Sequence, residues 1–453
     1  MNKNSRNSPP PNGPDSACLS GRSGSPVGIF WDQSLVWGLL CIETFRRSGV
    51  SFRLLGAADI AAGALDEVRI LLVPGGWAAH KVRALGESGR EKVAAFIDGG
   101  GSYIGFCGGA GMALSSPPAL HLTPIERMPL SERLPSASGR INVCGTLSHP
   151  AWKDVPEQIP VSVWWPSQFR WNAGPGAPGA SLAVYADPCA DFQVADLRVA
   201  DVSPEVCWKD LEAAYGINLD PARIKGHPAV IEVRRGAGRM VLSYAHLETP
   251  GDAWANRLLL NILDYLDEES AKAGKEIRKP VGGAAAHEPE PELPGEAAWA
   301  GIARAREAAV ELVSFGEANL LWNWRNPWLL NWRRGIRGLE YGSLFVTLDR
   351  MAALRKRIEP GGGGGRGPSV RWPRQAEILE KRTVEFCTLA RRLLLEEKIA
   401  AQTGIVKKLG KVNERVDHLR SSLFGDKMNH GGLSRALFDL VDSMLLDLLR
   451  QAR

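Results

Sequence analysis

The sequence has no run of apolar residues approaching the length of a membrane span, and its N-terminus lacks the apolar core of a secretion signal. Its seven cysteines are scattered and contain no CxxC pair, which argues against a disulfide framework and a zinc site and favours a reducing compartment. The 55 Lys and Arg against 50 Asp and Glu leave too small an excess to indicate nucleic acid as a partner. These absences predict a cytoplasmic protein with no metal and no cofactor.

The composition is that of a globular protein with more than one domain. At 453 residues, with 44% hydrophobic and 23% charged residues, the chain is long enough for two or three packed cores. Residues 1–25 are rich in Pro, Ser, Gly and Asn, which predicts disorder. Residues 26–268 alternate short apolar runs with amphipathic stretches, residues 269–296 have the composition of a linker, and residues 297–453 show only helical patterns. The sequence therefore predicts an α/β domain, a flexible linker and a separate α-helical domain.

The α/β pattern predicts a parallel sheet with helices on both faces. Short apolar runs typical of strands occur at residues 27–31, 51–55, 68–73, 102–106, 229–234 and 238–244. Helical stretches separate the earlier runs, as in folds with parallel strands. Because ligands in such sheets bind outside the carboxyl ends of the strands, residues that directly follow a strand are candidates for a site.

Cys107 follows one of these strands in the segment Gly105-Phe-Cys-Gly-Gly109. A nucleophile between a strand and a helix, with glycines on both sides, is the sequence form of a nucleophile elbow. Glycine is needed there because the turn requires unusual backbone angles and brings the strand and the helix close together. A tight strand–helix junction with an inert thiol has the same pattern, so the glycines alone leave both interpretations open.

Two further segments supply the groups that a cysteine nucleophile needs. His246 and Glu248 follow the apolar run 238–244, where His246 can act as a base towards Cys107 and Glu248 can orient the imidazole. Gly75 and Gly76 end another predicted strand, where a backbone N–H could join that of Gly108 in an oxyanion hole. Each segment alone also fits a plain turn or a solvated pair of side chains. Their common position at carboxyl ends of strands favours a candidate active site.

Three segments together carry a family resemblance: Ile70-Leu-Leu-Val-Pro-Gly-Gly76, Gly105-Phe-Cys-Gly-Gly109 and His246-Leu-Glu248. They resemble the class I glutamine amidotransferase-like superfamily, and within it the branch typified by the N-terminal domain of biotin–protein ligases. The resemblance covers about residues 26–268. It implies a flavodoxin-like, mostly parallel sheet with a nucleophile elbow, in which Cys107 is the nucleophile, His246 the base and Glu248 the third member of a triad.

The sequence departs from this family at positions that concern the substrate. Glutamine-hydrolysing members carry Gln four residues after the nucleophile, where this chain has Gly111, and their His-Pro-Glu signature is His-Leu-Glu here. Gly111, together with Asp32 and Gln33 after the first strand, is predicted to line the pocket. The glycine run at residues 361–365 lacks the setting of a biotin ligase loop, so biotin transfer by this chain is rejected.

The C-terminal half has two signals of its own. Residues 320–334 concentrate Trp and Arg around one proline, a combination that suits a packed connector, an interaction surface or, with less support, attachment to a membrane surface. The last predicted helix has one apolar face, formed by Leu433, Leu437, Leu440, Met444 and Leu448. Such a face needs a partner within a bundle, in another protein or in a second copy of the chain.

Taken together, the residues predict a cysteine-dependent amide hydrolase or amidotransferase-like enzyme that acts on a small molecule or peptide. The alternative is a non-catalytic binding or assembly module, in which an amidotransferase-like fold has lost its chemistry and the helical half is the docking surface.

Overall fold

The computed structural model describes residues 27–171, 177–278, 293–333, 335–358, 371–402, 412–425 and 431–452. The predicted disordered segment 1–25, half of the predicted linker and the glycine run at residues 361–365 lie outside the described residues.

The strands of the described chain are β1 (Val27–Phe30), β2 (Phe52–Leu55), β3 (Ile70–Val73), β4 (Ser102–Phe106), β5 (Glu126–Arg127), β6 (Ala137–Gly145), β7 (Gln158–Trp164), β8 (Phe169–Arg170), β9 (Gly179–Pro188), β10 (Gln193–Val194), β11 (Leu197–Arg198), β12 (Pro228–Arg235), β13 (Gly238–Ser243), β14 (Trp322–Asn326) and β15 (Leu329–Trp332). The helices are α1 (Val36–Arg47), α2 (Ala57–Ala61), α3 (Ala78–Asp98), α4 (Gly108–Ala113), α5 (Trp208–Tyr215), α6 (Ala253–Lys272), α7 (Glu296–Ala318), α8 (Leu339–Ile358), α9 (Arg371–Gln402), α10 (Glu414–Phe424) and α11 (Gly432–Gln451). None of the described helices is long and apolar enough to cross a membrane.

One large mixed sheet organises the first part of the chain, in the order β11-β10-β6-β9-β12-β13-β4-β3-β1-β2, with β7 paired to β6. Strands β13, β4, β3, β1 and β2 run parallel, and the strands from β12 outwards are antiparallel. Every residue of β1, β3 and β4 is buried, because helices cover both faces of this central part. The predicted α/β fold with a following helical region is confirmed.

Among the residues that the structure describes after the linker, the secondary structure is helical except for one hairpin. Helix α7 packs against α8 and α9, and α11 packs against α8, α9 and α10. The prediction of helices alone was wrong for the Trp-rich segment, where β14 and β15 pair antiparallel. The alternation of Trp322 and Trp324 with polar residues, followed by a turn at Asn326 and Pro327, has the period of a strand rather than of a helix.

The helical region packs directly on the α/β region, and two of these contacts lie close to the candidate site. Helix α11 lies against the loop after β1, where the side chain of Asp442 accepts a hydrogen bond from the backbone N–H of Gln33 at 2.8 Å. The β14–β15 hairpin lies against the end of β7, where Trp332 stacks on Trp164 with ring centroids 6.0 Å apart. Both contacts involve segments next to the candidate site.

Candidate active site

Cys107 occupies the turn between β4 and α4 in a strained backbone conformation. Its φ of 47° and ψ of −104° lie outside the regions that residues with a side chain normally adopt. Such a conformation costs about 1–3 kcal/mol and is found where a fold holds a functional group in place. The backbone N–H of Cys107 donates to the carbonyl of Ser243 at 2.8 Å, and its thiol lies 4.0 Å from the carbonyl oxygen of Trp164. The half-buried sulfur therefore has the placement predicted for an elbow.

The glycines around Cys107 are required by close backbone contacts. A Cβ on Gly108 would lie 1.8 Å from the carbonyl oxygen of Gly76, and one on Gly109 would lie 2.1 Å from that of Val73. A Cβ on Gly105 would lie 2.6 Å from the carbonyl oxygen of Gly109. The turn after β3 thus packs directly on the start of α4, which brings the predicted oxyanion residues to the elbow.

His246 and Glu248 form a completely buried pair beside this turn. The Nδ1 atom of His246 is 2.7 Å from Oε1 of Glu248, and both side chains have 0% exposure. The imidazole stacks on the indole of Trp37, with centroids 4.5 Å apart and ring planes 20° apart. The backbone N–H of His246 donates to the carbonyl of Ser162 at 2.8 Å, which ties the loop to β7. The ring is therefore held on one face by Trp37 and at Nδ1 by Glu248.

The charge state of His246 depends on its two polar neighbours. Burial alone lowers its pKa, but the Glu248 carboxylate and the interaction with Cys107 outweigh burial and raise the pKa to about 10. The Nε2 atom is buried and has no partner of hydrogen-bond geometry, although the thiol is near enough to act on the ring. At neutral pH this environment favours the charged form of the ring, with Nε2 on the side of the Cys107 thiol.

Gly75 and Gly76 place backbone amides next to the elbow and the imidazole. A Cβ on Gly75 would lie 3.2 Å from Cε1 of His246, so this turn packs against the ring. Gly76 has a φ of 109°, which favours glycine. Within the described chain, the amide N–H groups of Gly76 and Gly108 donate no hydrogen bond. Both amides are therefore available to a developing oxyanion.

Lys81 is a residue of the site region that was not predicted. Its side chain has 0% exposure, and its Cε lies 3.4 Å from the position that a Cβ on Gly76 would take. The ammonium donates to Oγ of Ser34 and to the carbonyl of Asp32. Burial lowers the pKa of Lys81, and the nearby Asp442 and Asp32 oppose this, which leaves it at about 8. A buried cation thus lies behind the glycine turn.

The other predicted pocket residues have mixed positions. The carboxylate of Asp32 accepts from the backbone N–H of Ala57 at the start of α2. The side-chain amide of Gln33 donates to Asp439 of α11 at 2.9 Å. These contacts occupy both side chains away from Cys107, and their pocket-lining role stays a prediction. Gly111 has room for a Cβ, since the nearest atom, the hydroxyl oxygen of Tyr244, would be 3.9 Å away.

The sequence contained a signal for Lys81 that was missed. In the first part of α3, before a break in the helix at Gly86, Lys81 and Leu85 lie four residues apart and are both buried, so the lysine lies on the face that packs on the core. A charged residue in such a position needs a partner or a function. Trp37 had no comparable signal, because a tryptophan on the buried face of α1 is expected for packing alone.

One family model agrees with the part of the resemblance that concerns biotin–protein ligases. Residues 65–116, which contain β3, α3, β4 and the elbow, match the family model described as biotin–protein ligase, N-terminal. No curated protein matches the chain at a significant level.

Several solved structures align with more than half of the chain. A protein described as a GMP synthase subunit from Thermoplasma acidophilum is 15% identical and aligns over 56% of this chain and 100% of its own, with a TM-score of 0.36. A ThuA-like protein from Bacteroides uniformis is 12% identical over 55% and 94%, with a TM-score of 0.35. A glutamine amidotransferase from Thermotoga maritima is 13% identical over 57% and 88%, with a TM-score of 0.32. Through the match at its glycine turn and elbow, the segment 65–116 of this chain is similar to the N-terminal domain of biotin–protein ligases.

Proposed function

We propose that this protein is a cysteine-dependent amide hydrolase or amidotransferase-like enzyme that acts on a small molecule or peptide. The observation that carries the proposal is the strained Cys107 turn beside a buried His246–Glu248 pair. A merely structural cysteine needs neither the strain nor a buried imidazole whose Nε2 lacks a partner.

In the first step, the Cys107 thiolate attacks the carbonyl carbon of an amide and a C–S bond forms. The backbone N–H groups of Gly76 and Gly108 stabilise the oxyanion. His246 holds the proton received from Cys107 and donates it from Nε2 to the amide nitrogen, so the C–N bond breaks and an amine or ammonia leaves. Glu248 keeps the ring oriented throughout, because it accepts from Nδ1.

In the second step, the thioester is hydrolysed. The now neutral His246 takes a proton from water, the hydroxide equivalent attacks the thioester carbon, and the C–S bond breaks. The Cys107 thiolate and the imidazolium are restored, and the acid is released. In an amidotransferase-like reaction, the released ammonia would be passed to an acceptor instead of to solvent.

The test is alkylation of the full-length protein with iodoacetamide across neutral pH, with each cysteine quantified by peptide mass spectrometry. The comparison thiols are the half-buried Cys144 and the exposed Cys207. We expect Cys107 to react fastest near neutral pH and to lose this advantage in His246→Ala. His149→Ala is a matched control, since His149 also lies beside a carboxylate, 3.6 Å from Glu232.

An ordinary titration of Cys107, unaffected by His246→Ala, would refute the proposal. It would favour the second candidate, a non-catalytic binding or assembly module. The specific observation on the side of that candidate is Gly111, which stands where glutamine-hydrolysing relatives carry Gln. The helical half would then serve as a docking surface for a protein partner or a second copy.

A further inference from the structure

Two arginines near the elbow have no acidic partner. Arg127 and Arg133 are half-buried, and neither forms an ion pair with a carboxylate among the described residues. Arg127 donates from Nε to Oγ of Ser167 at 3.1 Å, and the Nε of Arg133 is buried without a partner. Most other half-buried arginines of the α/β region, such as Arg239, do have a carboxylate within contact distance.

The two guanidinium groups are close enough to repel each other. Burial lowers the pKa of Arg133, and the positive charge of Arg127 lowers it further, to about 10. Two like charges that are partly removed from water and lack a counter-ion destabilise a fold. Such an arrangement is expected where an anion, absent from the free protein, is bound between the charges.

Tyr244 connects this arginine pair to the elbow. The guanidinium of Arg127 lies over its ring, 5.6 Å from the centroid. Its hydroxyl is buried and has no partner of hydrogen-bond geometry, although Ser167 is near enough to act on it, and it lies 3.9 Å from where a Cβ of Gly111 would be. Gly111 is one helical turn after Cys107. Burial raises the pKa of the Tyr244 hydroxyl, and the charge of Cys107 raises it further. These contacts place the two arginines and the Tyr244 hydroxyl close to the Cys107 thiol.

We propose that Arg127, Arg133 and the Tyr244 hydroxyl form an anion-binding subsite, which receives a carboxylate or phosphate group of the substrate whose amide Cys107 attacks. This inference rests on the proposed function for the role of Cys107. The substrate class is an amide that carries an anionic group on the acyl or amine part.

The test is affinity labelling of Cys107 in the full-length protein. The probes are iodoacetamides that carry a terminal carboxylate on linkers of increasing length, each paired with the neutral methylamide of the same length. We expect one linker length to label Cys107 about tenfold faster than its neutral counterpart, the factor expected for a charge-assisted hydrogen bond. Arg127→Met and Arg133→Met should each remove most of this preference. Arg198→Met removes an exposed charge elsewhere and should not change it.

Inorganic phosphate gives an answer that needs no variant, should either arginine replacement fail to fold. Added to the wild type, it should slow the carboxylate probe and leave the methylamide probe unaffected. Equal labelling by charged and neutral probes at every length would overturn the subsite, as would a preference that survives both arginine replacements. An activated Cys107 without a charge preference refutes the subsite alone. An Arg-dependent preference on a Cys107 of ordinary reactivity supports the subsite and refutes the catalytic proposal.

Discussion

Replacement of Gly108 by Ala tests the packing that holds the site together. The new Cβ would lie 1.8 Å from the carbonyl oxygen of Gly76 and 2.7 Å from its carbonyl carbon. Both are backbone atoms, so the clash cannot be relieved by rotation of a side chain. Either the turn after β3 or the start of α4 must move, and we expect a loss of about 3 kcal/mol in the free energy of unfolding, the upper end for overpacking.

Gly111→Ala is the matched control within the same short helix. Its Cβ would have no neighbour closer than 3.9 Å, and Gly111 has no positive φ that alanine would strain. Because alanine reduces the conformational freedom of the unfolded chain, we expect this variant to be stabilised by about 0.5–1 kcal/mol.

Urea unfolding measures the difference in stability between Gly108→Ala and Gly111→Ala. The rate of alkylation of Cys107 reports whether the turn at Gly75 and Gly76 keeps its position next to the thiol. We expect Gly108→Ala to be less stable and slower to react, and Gly111→Ala to react like the wild type. Equal stability of the two variants would refute the close approach of Gly76 to Gly108 and, with it, the proposed oxyanion hole.

Three further predictions concern His246, Lys81 and Trp332. The pKa of His246 is raised from 6.5 to about 10, so its stabilising contribution is complete below pH 6.5 and is lost as the pH rises through 10. The difference in unfolding free energy between wild type and His246→Gln, measured in urea, should therefore shrink over this interval. A difference that grows with pH would contradict the raised pKa. The pKa of Lys81 is lowered from 10.5 to about 8, so the charge of Lys81 costs stability increasingly as the pH falls from 10.5 towards 8. Lys81→Met should be more stable than the wild type below pH 8, yet its Cys107 should be alkylated more slowly. A less stable variant would show instead that the ammonium is needed for folding. Trp332→Ala removes the ring's contacts with Trp164 and Trp165 and should lower the free energy of unfolding, measured in urea, by about 2–3 kcal/mol. A loss below about 0.5 kcal/mol would indicate that the hairpin does not pack on the α/β region.

The sequence predicted the parts of the site that follow strands. The apolar runs before Gly75, Cys107 and His246 are short and continuous, as required for buried parallel strands, and sheet geometry then brings their carboxyl ends to one edge. The elbow could be predicted because its glycines reflect a local backbone requirement. The spacing of His246 and Glu248 similarly indicated that the two side chains could meet.

Contacts between distant segments could not be predicted in this way. The stacking of Trp37 on His246 and the approach of Asp442 to the loop after β1 depend on how helices pack on the sheet, which local patterns do not encode. Strands β10 and β11 have two residues each, and β6 pairs with β9 through a register shift, so local apolar patterns did not reveal how the antiparallel part of the sheet is ordered. The β14–β15 hairpin was missed because the Trp and Arg content of this segment was interpreted as a connector or an interaction surface. The alternation with a period of two, which is typical of strands, was overlooked.

The proposed mechanism requires an imidazolium at His246 near neutral pH, which the position of the ring between Glu248 and Cys107 favours. NMR of protein with labelled histidine rings measures this directly, with the His246 resonance assigned from His246→Gln. We expect a charged ring from pH 6.5 towards pH 10, and a lower midpoint in Cys107→Ser. A His246 midpoint at or below 6.5, unchanged in Cys107→Ser, would contradict the proposed nucleophile and its base.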